Sequence, residues 1–187
     1  TGKPAFSVWC DMTGGGWTRV ATNDFNSEGV PPNFAWNGKD GPLATTVCGG
    51  LGRILGGYGV LGGTTIVSGK FDTLTIPHTE VKTTFDIIKI DSWDGEPLII
   101  LASTTSGTKE LYNGGFCFCE DDCPYFNSLC GGAAICGQDK WEEDRSVHVS
   151  KVVPDTSAWF RFDGRASLDQ STTDESWGLD NIVIWVR

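Results

Sequence analysis

Between Val81 and Ser103 the chain reads VKTTFDIIKIDSWDGEPLIILAS, with apolar residues at odd and even positions alike. In an extended backbone successive side chains point to opposite sides. Val81, Phe85 and Ile87 therefore share one face with Lys89 and Asp91, and Ile88 and Ile90 share the other with Asp86. β-Branched residues at this density predict strands, and apolar side chains on both faces predict strands that are covered on both sides. Lys89 and Asp86 then each need water or a partner. Asp94-Gly95 is a two-residue hairpin signal, because a type I′ turn needs positive φ at both central positions. A hairpin there sets Trp93 opposite Glu96 and Asp91 diagonal to Glu96, roughly 7–8 Å apart at the backbone and within side-chain reach of a shared ion. Pro97 has no amide to donate, so the second strand starts irregularly or lies near an edge.

The same period of two recurs along the chain. Leu74 and Ile76 alternate into a strand that Pro77 stops, and Lys109–Asn113 (KELYN) forms another. Val147-His148-Val149 alternates, and in SAWFRFDG the residues Phe160 and Phe162 face one way while Trp159 and Arg161 face the other. Ile182, Ile184 and Val186 share a face, so the chain ends on a buried strand. These segments predict an all-β fold: a two-sheet β-sandwich, jelly-roll-like, with little helix and long loops held by disulfides. At 187 residues the chain suits a single domain, 1–187, with a real core.

Composition narrows the setting. Asp and Glu outnumber Lys and Arg 24 to 14, a net charge of −10, which argues against binding nucleic acid or anionic membrane. No apolar run is long enough to span a bilayer, so no membrane insertion is expected. Seven cysteines in a Gly- and Trp-rich chain point to an oxidising compartment, secreted, extracellular or at a cell surface. An odd number leaves one thiol free or bonded to another chain. Cys48 is the nearest cysteine to Cys10, and pairing them would staple the first segment. Cys117, Cys119, Cys123, Cys130 and Cys136 lack the paired spacing and histidines of a zinc site, so two disulfides and one remainder are expected among them. No N-glycosylation sequon occurs. The absence of an initial Met suggests a processed product or an excised module.

Trp9-Cys10-Asp11-Met12 followed by Gly14-Gly15-Gly16-Trp17-Thr18 resembles the opening of fibrinogen-like domains, a family that includes the sugar-binding ficolins and intelectins. The resemblance covers residues 1–22. Further on, Gly57, Gly59 and Gly62 spell Gly-x-Gly-x-x-Gly, but a dinucleotide site needs a helix next. The following GTTIVSGKFDTLTI is a poor helix, so packed glycine turns, or close approach of backbone to a neighbour, are expected instead.

No catalytic set is legible: His78 and His148 have no nucleophile elbow to serve, and the chain reads as not an enzyme. Two segments carry clustered acids around a tryptophan, Asp91-Ser92-Trp93-Asp94-Gly95-Glu96 and Asp174-Glu175-Ser176-Trp177-Gly178-Leu179-Asp180-Asn181. Together they resemble a paired signature of galactose-binding-like jelly-roll modules in surface proteins of ciliates and algae. That resemblance spans residues 81–187, with a Cys-rich insertion at 113–137. Acids meeting at one rim repel unless neutralised, which makes Asp91, Asp94, Glu96, Asp174, Glu175 and Asp180 candidate ligands for calcium. Trp93 and Trp177 either stack on a sugar or seal the end of the core. The expected function is a non-catalytic extracellular module, a structural or adhesive building block, with a calcium-dependent carbohydrate-binding lectin as the alternative. Its partners are then other extracellular subunits, including further copies joined through an unpaired cysteine, or glycans.

Overall fold

The computed structural model describes residues 9–11, 15–27, 29–72, 76–117, 129–130, 132–138 and 144–187. Regular structure within them is strand, apart from one 3₁₀ turn at Gly49–Leu51. In chain order come β1 (Trp9–Asp11), β2 (Trp17–Asn23), β3 (Phe34–Asn37), β4 (Thr45–Val47), β5 (Arg53–Gly56), β6 (Ile66–Phe71) and β7 (Glu80–Asp91). They are followed by β8 (Asp94–Thr104), β9 (Gly107–Cys117), β10 (Leu129–Cys130), β11 (Arg145–Pro154), β12 (Phe160–Ala166) and β13 (Glu175–Val186). None of the described residues forms a helix long and apolar enough to cross a membrane.

The strands form the two sheets of a jelly-roll-like sandwich. In the seven-stranded sheet β13 is central, paired with β7 along one edge and with β2 and then β5 along the other. β11 extends beyond β7, β1 beyond β2, and β4 beyond β5. The six-stranded sheet runs β10-β9-β8-β12-β6-β3, antiparallel except for the short β9–β10 pair. Inward residues of both sheets interdigitate: Val81, Phe85 and Ile87 of β7 and Leu179, Ile182 and Ile184 of β13 meet Leu98 and Ile100 of β8 and Phe160 and Phe162 of β12. The Phe85 and Phe162 rings touch edge to face, with centroids 5.0 Å apart.

β7 is covered on both faces, as its two-sided apolar pattern requires. Its outer face carries Ile88 and Ile90, fully buried with Ile54 and Cys48 under the segment that contains Ile135 and Cys136. Cys136 is bonded there to Cys48. The expected Cys10–Cys48 bridge is therefore wrong: Cys48 is at the centre of this outer cluster, whereas Cys10 is exposed on strand β1 and free. Proximity in sequence was a poor guide, because β4 and β5 carry Cys48 across the sheet from β1. Cys119 and Cys123 lie outside the described residues, as do the side chains of Cys117 and Cys130.

The Asp94-Gly95 hairpin does not form. β7 and β8 lie in different sheets, and the chain crosses between them at Ser92-Trp93. Each strand buries an inward face, and the Trp93 indole fills the gap at the crossing. It is fully buried, packs edge to face on Phe116 at 5.2 Å, and its Nε1–H points to the carbonyls of Ile90 and Ser176. The positive φ that glycine supplies is used differently. Gly95 (φ +114°) lies where the β8 register shifts between Asp94 and Pro97, and Asp91 (φ +60°) begins the corner. Pro97 thus marks an irregular strand start, but in the sheet interior. Ile76 lies in a bend rather than a strand, and Leu74 is outside the described residues. The glycine segment 56–63 is packed turn: a Cβ on Gly63 would lie 1.8 Å from the Leu168 carbonyl oxygen.

A second irregularity sits on the outer face of β13. The register with β7 shifts between Asp180 and Val183, where Asn181 takes φ +50°. Asn181 Nδ2 donates to Asp86 Oδ2 at 2.8 Å and to Asp180 Oδ2 at 3.3 Å, and His148 Nδ1 lies 2.7 Å from Asp86 Oδ1. Burial pushes the Asp180 carboxyl from 3.8 to about 6; the Asn181 backbone N–H opposes the rise, and the charges of Asp86 and Asp24 add to it.

Two outcomes follow from these features. The Cys48–Cys136 bond spans 88 residues, so replacing both cysteines by Ser should cost about 3–5 kcal/mol and lower Tm by roughly 10 °C in a calorimetric scan. Cys10→Ser should leave Tm within about 1 °C, as for an exposed site. Asp180 holds its proton more tightly when folded, so its ionisation penalises the fold. The penalty is absent below 3.8, grows as pH rises, and is complete above about 6. Asp180→Asn should flatten the fall in stability across that window and be about 1–2 kcal/mol more stable at neutral pH, measured by urea unfolding; a midpoint that tracks the wild type at every pH refutes this.

Candidate functional site

The outer face of the six-stranded sheet follows directly from alternation. In β12 the inward set Phe160, Phe162, Gly164 and Ala166 is buried, which turns Arg161, Asp163 and Arg165 outward. In β6, Val67, Gly69 and Phe71 face in, and Ile66, Ser68 and Lys70 face out. β8 contributes Ile99, Leu101 and Ser103 on the same outer side. Across these strands lies a groove of about 310 Å³, lined by Asn37, Ile66, Ser68, Leu101 and the β12 residues Arg161 to Arg165 except Phe162.

Asp163 is at its centre. Its Oδ1 accepts from Ser68 Oγ at 2.5 Å, and its Oδ2 accepts from Arg161 Nε at 2.8 Å and from Ser103 Oγ at 3.4 Å. Three donors from three strands thus hold one carboxylate in place, with the Arg161 side chain about half exposed at 51%. Polar groups fixed beside the aliphatic Ile66 and Leu101 suit a ligand with hydroxyls along its edge and CH groups on its faces. Sequence reading placed Arg161 outside but did not single out Asp163, Arg165, Ser68 or Asn37. The available signal was the alternation of charged residues between inward phenylalanines.

The acids expected at one rim divide into separate structures. Asp94, Glu96 and Glu175 do converge, each offering a carboxylate oxygen within 4.8 Å of the others. Gln170 Nε2 donates to Asp94 Oδ2 and to Glu175 Oε1, both at 3.2 Å, and the Gln170 N–H reaches Glu175 Oε2 at 3.2 Å. Burial pushes the Glu175 carboxyl up to about 7, and the charge of Glu96 adds to it. Burial likewise raises the Glu96 carboxyl. The ligand atoms that the three carboxylates offer are all oxygens, the donor type that a hard cation of the calcium type takes.

The other three acids are not part of that cluster. Asp91 accepts the Gln138 N–H at 2.9 Å, and burial, with Asp144 and Asp174 nearby, raises its carboxyl to about 6. Asp174 accepts from Ser92 Oγ at 3.0 Å and so fastens the corner between the sheets. Asp180 pairs with Asp86 in the ladder, five positions from the Glu175–Asp91 pair, or roughly 17 Å along the strand. Asp144, which sequence reading missed, is buried: Oδ1 accepts the Asp91 N–H, and Oδ2 accepts those of Ile135, Cys136 and Gly137. No motif announces it, since its role depends on a loop returning from elsewhere. Trp93 and Trp177 are both 0% exposed, and the Trp177 Nε1–H donates to the Gly62 carbonyl. Their place is in the core, so neither offers a face to a sugar.

No family model and no curated protein sequence matches the chain. Among solved structures, the K3 cleaved adhesin domain of Lys-gingipain from Porphyromonas gingivalis W83 superposes with a TM-score of 0.50 at 12% identity, over 89% of this chain and 98% of that one. The mannan-recognising carbohydrate-binding module TmCBM27 gives a TM-score of 0.46 at 13% identity, over 91% and 98% of the two chains. The Clostridium thermocellum xylanase 10B CBM22-1–GH10 structure gives 0.48 at 9% identity over 90% of this chain, which spans 28% of that one. These comparisons do not support the fibrinogen-like resemblance of residues 1–22. At such identities the likeness is one of fold, and this chain shares its fold with the adhesin domain.

Proposed function

We propose that this chain is a non-catalytic extracellular module that binds carbohydrate in the groove of its six-stranded sheet, and thereby serves adhesion to a glycan-bearing surface or matrix. The observation that carries the reading is Asp163: a carboxylate clamped by Ser68, Ser103 and Arg161 in the floor of an open groove. Such preorganised polar groups orient sugar hydroxyls at small entropic cost. The mannan- and xylan-directed modules that its fold resembles carry no weight by themselves, because fold does not determine ligand. Cys10, exposed and free on the first strand, is the candidate link to another extracellular subunit or a second copy.

The acidic cluster enters as a structural element. A calcium ion would be held by Asp94, Glu96 and Glu175, the acids whose oxygens converge; it would neutralise them and fasten the start of β8 to the start of β13. The ion contributes charge and cross-linking, and the sugar contacts belong to the groove on the outer face of the sheet.

Two measurements test these readings. On a glycan array the wild type should bind, and Asp163→Ala should lose at least about tenfold in affinity while keeping its β circular-dichroism spectrum; an unchanged Kd for the variant, or an array with no bound glycan, refutes groove binding. In calorimetry, calcium at about 100-fold over Kd should add about 2.7 kcal/mol of stability, or roughly 5–10 °C in Tm. A chelator should reverse the gain and Glu175→Gln abolish it; a Tm indifferent to calcium excludes the ion.

A further inference from the structure

We infer that the groove takes an acidic polysaccharide, one bearing uronate carboxylates or sulfate esters, rather than a neutral glycan. This rests on the groove being the carbohydrate site and concerns which class of carbohydrate enters it. In a chain with net charge −10 the groove lining is a local exception, because its charged residues are Arg161, Arg165 and Asp163. The one anion among them is already paired with Arg161 and held by Ser68 and Ser103, which leaves one acceptor position on Oδ1 for a ligand hydroxyl and no uncompensated negative charge in the groove. Arg161 engages Asp163 through Nε, which leaves its terminal NH₂ groups for a ligand.

Arg165 is the more telling residue. It is exposed, and its cross-strand neighbours on the outer face are Ile66 on one side and Ile99 on the other. Neither can pair with a cation, and Arg165 has no side-chain hydrogen bond or ion pair among the described residues. A guanidinium presents a planar fork of donors that matches carboxylate and sulfate oxygens two at a time. Arg161 and Arg165 lie four residues apart on one face of β12, roughly 13 Å along the strand, with Asp163 midway. Two such forks are placed to grip successive charged groups of an extended polymer.

The lining also lacks what a neutral sugar uses best. No aromatic side chain contributes to it, so no flat surface is available for a pyranose ring. Trp36, 45% exposed, precedes the lining residue Asn37 on β3, and alternation turns it to the opposite side. Beyond the aliphatic contact that Ile66 and Leu101 offer, affinity in this groove must then come from charge and hydrogen bonds, and it should weaken as salt screens them.

The test is titration calorimetry of the full chain against four hexasaccharide-sized probes: oligogalacturonate, a sulfated galactan fragment, xylohexaose and mannohexaose. Binding of either anionic probe at least about tenfold tighter than the neutral pair supports the inference, and which of the two binds separates carboxylate from sulfate recognition. Arg165→Gln should weaken that binding about tenfold, Arg165→Lys should restore part of it, and raising salt from 50 to 300 mM should lower affinity severalfold. Lys151→Gln, on the opposite sheet, should change nothing. Equal or tighter binding of a neutral probe overturns the inference and leaves the carbohydrate reading standing. An unaffected Arg165→Gln variant, or an equal loss in Lys151→Gln, overturns it as non-specific attraction. Failure of all four probes to bind, with the array also blank, defeats the carbohydrate reading itself.

Discussion

The antiparallel ladder between β7 and β13 is the constraint on which the remainder of the structure depends. It runs from Glu175–Asp91 at one end to Val186–Val81 at the other, interrupted once at the Asp180–Val183 bulge. β13 carries β2 and β5 on its far edge, and β7 carries β11. Because both strands are long and central, their inward residues fix where the second sheet can lie. Phe85 against Phe162 sets the contact, and the outward parity of β12 follows from that. The groove is thus a consequence of core packing, with each inward phenylalanine obliging its neighbour to face solvent.

β7 is unusual in needing cover on both sides. A strand in a two-layer sandwich normally exposes one face, yet Ile88 and Ile90 are as fully buried as Ile87. The cover is a loop, and a loop over apolar residues brings backbone N–H groups that must find acceptors. Asp144 and Asp91 supply them, taking N–H groups from residues 135–138. Much of the chain's buried acidity is therefore employed in holding backbone. Gly137 permits the close approach, since a Cβ there would fall 2.0 Å from the Asp91 carboxylate.

This explains what was legible in the sequence and what was not. Strands and inward faces could be read wherever alternation was strong, as in Phe160/Phe162 and Ile182/Ile184/Val186, because burial imposes a period of two irrespective of partners. The apolar residues on both sides of β7 correctly signalled double cover. Pairing was harder to see. Asp94-Gly95 carries local hairpin chemistry, but the need to bury Trp93 between the sheets outweighed it, and the same glycine serves a strand irregularity instead. The six acids read as one rim share composition and a nearby tryptophan, whereas their grouping depends on register. Asp94, Glu96 and Glu175 converge on one point, Asp91 and Asp174 neighbour each other at the corner, and Asp180 lies farther along β13. The Cys48–Cys136 pairing joins residues that only the completed sheet makes neighbours, so no spacing rule could have selected it.

That bond has one more consequence. The stretch it encloses contains β5 through β10, strands drawn from both sheets. A protease that nicks any loop within this stretch would yield two polypeptides still joined through sulfur, with their strands interleaved across both layers. Such a module could be cut within this stretch and keep its covalent continuity until a reductant reaches the buried Cys48.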